Sequence, residues 1–391
     1  MSAGFLRRVS REISDLTEKN LLRTLDARRS RQGGRIDIDG RELINFCSND
    51  YLGMSSEEAV IQRVSDEVKR FGVGSGSASL LSGRSTLHAE LEKKLARFMG
   101  SESALIFSSG YLANTGVIPA LMGRKDFIFH DKLNHASLID GVLASKAAQK
   151  RYPHGKTPDF SGIASRNCEV KMLVTESVFS MDGDLVDLSS LLSNAVENES
   201  VLYVDDAHGF GIVGKGKGAA GILSRGSQLS SSILVMITFG KTLGSVGAAL
   251  LGSNEVINLL VQKARTYVYD TAIPPLCAAA ALESLSLLEG CPKRRESLFE
   301  NIRFFRRQAR DAGIQLQDSD SPIQPIVLGS EEKTISVANH LMKSGFYVRP
   351  IRPPTVPPGT SRIRLTITSS HSPNDILRLI QALKDVLSSR L

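Results

Sequence analysis

Between positions 100 and 255, short apolar runs at 104–107, 127–130, 172–176, 202–205, 233–238 and 248–251 alternate with helix-patterned stretches. Strands this short, each followed by a helix, specify a mostly parallel sheet with helices on both faces, an α/β fold. Ligands of such sheets bind beyond the carboxyl ends of the strands. The polar residues of this segment gather at those ends.

The flanking sequence predicts smaller pieces. Residues 11–31 read as a charged amphipathic helix, and 36–38 and 43–46 as a strand pair turned by Asp39-Gly40. Asn49 opens a loop, 56–71 reads as a helix, and Pro274-Pro275 opens a long helix over 276–312. Strands near 323–328, 347–351 and 362–368 with helices at 333–344 and 373–390 form a smaller α+β C-terminal domain. The domain partition is 1–48, 49–285 and 286–391.

No apolar run approaches the ~20 residues that span a bilayer, and residues 1–31 lack the apolar core of a secretory signal. The formal charge of +7 is spread along the 391 residues without a basic block, which suits anionic metabolites and not nucleic acid. Cys47, Cys168, Cys277 and Cys291 have no metal spacing. Thiols this sparse fit a reduced, cytoplasmic setting.

The chemistry sits at the strand ends. The run 233–238 leads through Phe239-Gly240 to Lys241. A partly desolvated lysine there has the free amine that forms Schiff bases; alone, it also fits a solvated lysine opening the next helix. The run 202–205 ends in Asp205, with Asp206 beside it and His208 three residues beyond. Pyridoxal phosphate needs an acid at its pyridine nitrogen and a donor at its phenolic oxygen, which Asp205 and His208 supply. A metal site of Asp205, Asp206 and His208 is the competing reading, but adjacent strand residues face opposite sides.

Ser108-Ser109-Gly110-Tyr111 opens a helix after a strand and offers free amides to an anion. His135 follows another strand and suits stacking on a flat cofactor or a structural role. Glu176 and Ser180 close a further strand. Gly216-Lys217-Gly218-Ala219-Ala220-Gly221 matches a dinucleotide fingerprint literally, but it follows no strand and has no acid ~20 residues on, so it reads as a loop.

In this order, Asn49–Gly53, Gly110-Tyr111, Asn134–Ser137, Glu176–Gly183, Asp205–Gly209 and Thr238–Lys241 resemble the α-oxoamine synthases. These fold-type-I pyridoxal-phosphate transferases condense an amino acid with an acyl thioester and release carbon dioxide. The resemblance implies that Lys241 forms the Schiff base, Asp205 pairs with the pyridine nitrogen, and His135 stacks on the ring. It places Ser180 and His208 near the phenolic oxygen, and Gly110, Tyr111 and Thr238 around the cofactor, Thr238 at its phosphate. It implies a homodimer in which Thr271 reaches the neighbour's phosphate.

The run Arg352-Pro353-Pro354-Thr355-Val356-Pro357 resembles the branch that joins L-alanine to a pimeloyl thioester, carried by coenzyme A or by acyl-carrier protein. Arg352 would then grip the amino acid's carboxylate, with Thr355 and Asn49 beside it. A sister activity on glycine or serine and an inactive scaffold subunit are the alternatives. The chain departs from the family at Asp270, where a serine is usual, and in its short N-terminal segment, where Arg31 stands nearest to the family's substrate arginine.

Overall fold

The computed structural model describes residues 2–161, 168–224, 228–290 and 292–388. Its contacts gather into two compact units: Met1–Tyr51, Met181–Gly183 and Ser297–Leu391 form one, and Leu52–Ser180 and Asp184–Glu296 the other. Among the described residues no helix is long and apolar enough to cross a membrane.

In the first unit β1 (Arg35–Ile38) and β2 (Arg41–Asn45) form an antiparallel hairpin. Asp39 and Gly40 both take positive φ, 49° and 78°, which matches the twist of the two strands. Ile36, Ile38 and Leu43 are buried there with Met342 and Tyr347 against them. The N-terminal helix is Ala3–Glu18 and not 11–31. Asn20 takes a left-handed φ of 55°, which stops the helix more than three turns before the charged pattern ends at 31. Beyond it, the carbonyls of Asn20, Leu22 and Thr24 bond to arginine side chains instead of to a helix. Phe5, Leu6, Val9, Ile13 and Leu16 of the helix stay exposed.

The second unit is built on a seven-stranded sheet of order β3-β9-β8-β7-β6-β4-β5. The strands are β3 (Ser103–Phe107), β4 (Phe127–Asp131), β5 (Ala148–Tyr152), β6 (Lys171–Glu176), β7 (Ser200–Asp205), β8 (Ile233–Thr238) and β9 (Ala248–Gly252). From β5 to β8 every neighbour is parallel, while β9 runs antiparallel between β8 and β3. The expected mostly parallel α/β sheet is therefore present, with one strand the apolar pattern did not reveal. That strand, β5, reads Ala-Gln-Lys-Arg-Tyr on the sheet edge, and its exposed middle leaves no hydrophobic signature. Leu105, Val117, Ile128, Met172, Tyr203 and Leu234 belong to one buried cluster between sheet and helices.

The expected 276–312 helix is two, Pro275–Gly290 and Lys293–Asp311, with Pro292 at the break, where no amide is available to carry the helix on. In the first unit β10 (Ile323–Gly329), β12 (Pro350–Ile351) and β13 (Ser361–Thr366) form a sheet, and β11 (Phe346–Tyr347) joins β2. The expected 347–351 strand is thus divided between two sheets, because β11 pairs with β2 and β12 with β13. Helices Glu331–Lys343 and Pro373–Ser388 complete the unit; positions 389 and 390 of the expected helix lie outside the described residues.

Candidate active site

The parallel register sets three strand ends level. Glu176 of β6 stands opposite Asp205 of β7, and Asp205 opposite Met236 of β8. Asp205 is buried, so its carboxylate needs donors. Asn114 Nδ2, from the helix Gly110–Leu121, donates to Asp205 Oδ2 at 2.7 Å, and the Ala207 amide donates to Oδ1 at 3.0 Å. Asn114 is itself fixed, donating to Ser137 Oγ at 2.9 Å and accepting from the Tyr203 hydroxyl at 2.8 Å. These donors are all neutral, and each carboxylate oxygen has a second lone pair for a further donor.

Asp206 takes other partners. It accepts from Ser177 Oγ at 2.5 Å and from the Ala219 amide at 2.8 Å. Burial pushes its pKa up to about 7, against the pull of those two hydrogen bonds. The two aspartates thus have separate sets of partners. Gly218 begins the short helix Gly218–Leu223, within the segment that reads as a loop from sequence.

His135 caps the helix Ala136–Ser145. Its Nδ1 accepts from the Ser137 amide at 3.3 Å, so in the neutral ring the proton sits on Nε2. Its own amide donates to Glu176 Oε1 at 2.6 Å. Burial lowers the imidazole pKa; Asp205 opposes this and Lys241 adds to it, so His135 is neutral near pH 7. Burial and then Asp205 raise the Glu176 carboxyl well above the usual range.

Lys241 is half-buried and follows a tight turn. The Phe239 amide donates to Gly247 O at 2.8 Å, the Gly244 amide to Lys241 O at 2.9 Å, and Thr242 Oγ1 to Phe210 O at 2.8 Å. Its charge acts on His135, Glu176 and Asp206. His208 is buried beyond Asp206, and Ser180 is half-buried beyond β6.

Gly110 lies against β8: a Cβ there would stand 3.3 Å from Met236 Cε and 3.8 Å from Thr238 Cβ. Ser109 Oγ takes the Leu112 amide, while the Gly110 and Tyr111 amides have no partner among the described residues. Thr238 Oγ1 donates to Gly247 O at 3.0 Å. The Tyr111 hydroxyl donates to Asp140. Asp270, the departure from the family pattern, accepts from Ser108 Oγ at 2.5 Å and from the Thr271 amide at 2.9 Å. Its charge is thereby turned to the end of β3 in its own chain.

A third histidine was not singled out by sequence. His154 bridges Asp131 Oδ2 at 3.0 Å and Asp184 Oδ2 at 2.7 Å, with its ring edge against Phe179 at 4.3 Å. The two carboxylates raise its pKa to about 10. Because the Phe179 amide donates to Asp184 O at 3.1 Å, the clamp ties the segment before Ser180 to the end of β4.

Asn49, Arg352 and Thr355 belong to the first unit. Arg352 is buried and donates to Asn20 O at 2.5 Å and Leu22 O at 3.3 Å. Burial lowers its pKa, as do Arg23 and Arg349. Arg23 Nη2 donates to Thr355 Oγ1 at 3.0 Å, so the N-terminal arginine that meets Thr355 is Arg23. Both terminal nitrogens of Arg364 reach Asn49 Oδ1 at 3.2 Å.

A parallel sheet with a lysine, an anchored buried aspartate and a capping histidine at its strand ends defines a class. The chain belongs to the aminotransferase class I and II family, whose model matches residues 41–383, and within it to the α-oxoamine synthases. It is 44% identical to the 8-amino-7-oxononanoate synthase of Herminiimonas arsenicoxydans, over 95% of this chain and 97% of that one. A solved serine palmitoyltransferase from S. paucimobilis, with PLP bound, superposes with a TM-score of 0.89 at 27% identity, covering 97% and 96%. The 8-amino-7-oxononanoate synthase of Francisella tularensis gives 0.74 at 28% identity, covering 88% and 98%.

Proposed function

We propose that the chain binds pyridoxal 5'-phosphate and condenses L-alanine with a pimeloyl thioester, releasing carbon dioxide, the reaction of 8-amino-7-oxononanoate synthases in biotin biosynthesis. The observation that carries this reading is Asp205, a buried carboxylate that, among the described residues, is oriented by neutral donors at a strand end level with β8, the strand before Lys241. A protonated ring nitrogen satisfies such a group. The bare backbone at Gly110 and the two unpartnered amides suit a phosphate.

When bound, the cofactor supplies an aldehyde carbon and a ring that withdraws electrons from the amino acid's α carbon. Lys241 Nζ would hold the cofactor and, as a free amine, would take the α proton of the amino acid. Asp205 holds the ring nitrogen protonated, and Asn114 fixes Asp205. His135, neutral with its proton on Nε2, would stack on the ring and donate toward the thioester oxygen. Ser180 and His208 are assigned to the phenolic oxygen, and Gly110, Tyr111 and Thr238 to the phosphate. Arg352, Thr355 and Asn49 are assigned to the substrate. L-Alanine would replace the carbonyls of Asn20 and Leu22 at the guanidinium.

The assembly we assign is a homodimer with Thr271 reaching the second copy's phosphate. Exposed Val73, Leu81 and Tyr269 support a covered face in the second unit. The acyl carrier is coenzyme A or acyl-carrier protein, and the setting is cytoplasmic, in keeping with free Cys47, Cys168 and Cys277.

The test is the visible spectrum of purified protein titrated with L-alanine, glycine and L-serine, then with pimeloyl-CoA. A band shift with alanine and carbon dioxide release with pimeloyl-CoA support the reading. A shift with serine or glycine but none with alanine moves the chain to a sister activity.

A further inference from the structure

We propose that the second unit carries a separate anion site for a small polyphosphorylated molecule, in a cleft walled by Arg97, Lys215, Lys217 and Arg295. The cleft encloses about 400 Å³, within the range of small-ligand sites. Phe98, Leu288 and Pro292 form its apolar lining.

Charge balance is the first argument. Four cations line the cleft against one carboxylate, Glu289, and that carboxylate is engaged by Lys94 at 3.5 Å. Among the described residues the side chains of Arg97, Lys215 and Arg295 have no ion-pair or hydrogen-bond partner. Lys217 Nζ lies 5.7 Å from the Phe98 ring centroid. In the same unit Arg84 is met by Glu92 and Lys125 by Glu169. Converging cations without acids repel one another unless an anion joins them.

The second argument is how the lysines are held. They come from the glycine-rich run at 214–218, where Gly214, Lys215, Gly216 and Gly218 take φ of 56°, 58°, 90° and 60°. Each glycine answers to a neighbour. A Cβ on Gly216 would meet Arg295 Nη1 at 2.5 Å, and one on Gly218 would meet Asp206 Oδ2 at 1.9 Å. The loop's amides are used internally: Gly216 N and Gly218 N bond to Val213 O at 2.9 and 3.0 Å, and Lys217 N to Gly214 O at 3.1 Å. This is therefore no phosphate-cradling backbone. It is a stiff mount that presents side-chain cations, with Lys215 strained into the left-handed region. Two guanidinium forks and two ammonium groups match phosphate oxygens better than a single carboxylate. The site does not depend on the reaction proposed above.

Calorimetric titration of the cofactor-loaded protein with inorganic pyrophosphate tests the site, since loading fills any phosphate position of the cofactor. Saturable binding is expected, and Lys215→Ala/Lys217→Ala is expected to weaken it about tenfold or more. Lys333→Ala/Lys384→Ala, which removes the same charge from exposed positions in the other unit, is expected to leave it unchanged. Both lysine pairs are solvent-exposed, and unchanged melting temperatures confirm folding. Absence of saturable binding at millimolar pyrophosphate, or equal weakening by both double variants, overturns the proposal.

Discussion

Replacing His154 with glutamine removes the cation that holds two acids together. Asp131 is buried, the His154 side chain is 20% exposed and Asp184 29%. The imidazole pKa moves from 6.5 to about 10. At about 1.4 kcal/mol for each pH unit, that rise sets a ceiling of roughly 5 kcal/mol. Partial exposure and solvent screening reduce it, and about 2–3 kcal/mol is expected. The sign follows from a raised folded pKa. The stabilisation is complete below pH 6.5, declines as the unfolded histidine loses its proton first, and is gone as pH passes about 10. Hydrogen exchange of the peptide covering 171–180 reports this locally, which matters because the two units need not unfold together. At pH 6, His154→Gln should exchange faster there than the parent protein, after correction for intrinsic rates. By pH 9.5 most of that difference should be gone. A difference that is absent at pH 6, or that persists undiminished at pH 9.5, refutes the ion-pair account of the clamp.

Lys241→Ala should abolish visible cofactor absorbance and turnover together; turnover without Lys241 would remove it from the mechanism. Asn114→Ala leaves Asp205 Oδ2 without its 2.7 Å donor and the Tyr203 hydroxyl without an acceptor. It should cost about 1–3 kcal/mol in stability and lower kcat, read by denaturation and steady-state kinetics. Arg352→Lys should raise KM for L-alanine about tenfold or more with a smaller change in kcat, because an ammonium loses the bidentate fit. Gly218→Ala, at φ 60° and within 1.9 Å of Asp206 Oδ2, should lower the melting temperature by several degrees, roughly 2 kcal/mol or more.

What the sequence made legible follows physical lines. Buried sheet strands are apolar over most of their length, so β3, β4, β6, β7, β8 and β9 stand out, and the polar residues near their ends mark the site. Edge strand β5 has solvent over its middle residues and carries no such mark. The N-terminal helix was misplaced because charge alternation continues past Asn20, while the backbone there bonds to Arg349 and Arg352 from more than 300 residues away. Supporting groups were the least visible. Asn114 and His154 work through partners distant in sequence, and only the fold brings those partners together. Asn114 did leave a trace, as a buried amide among Ala113, Val117 and Ile118.

The adjacent acids at the end of β7 show how one strand end serves two purposes. Strand alternation gives Asp205 and Asp206 separate partners, so a single dipeptide holds both the carboxylate proposed to face the ring nitrogen and an anchor. Asp205 is set by Asn114 and Ala207, which orient it without neutralising it. Asp206 is set by Ser177 and Ala219, which tie the β6 segment and the glycine–lysine run to the same strand end. A charge on Asp206 would compete with Asp205 for the field of Lys241, and burial answers this by holding Asp206 near pH 7. The acid that anchors the loop gives part of its charge up, which eases the repulsion beside Asp205.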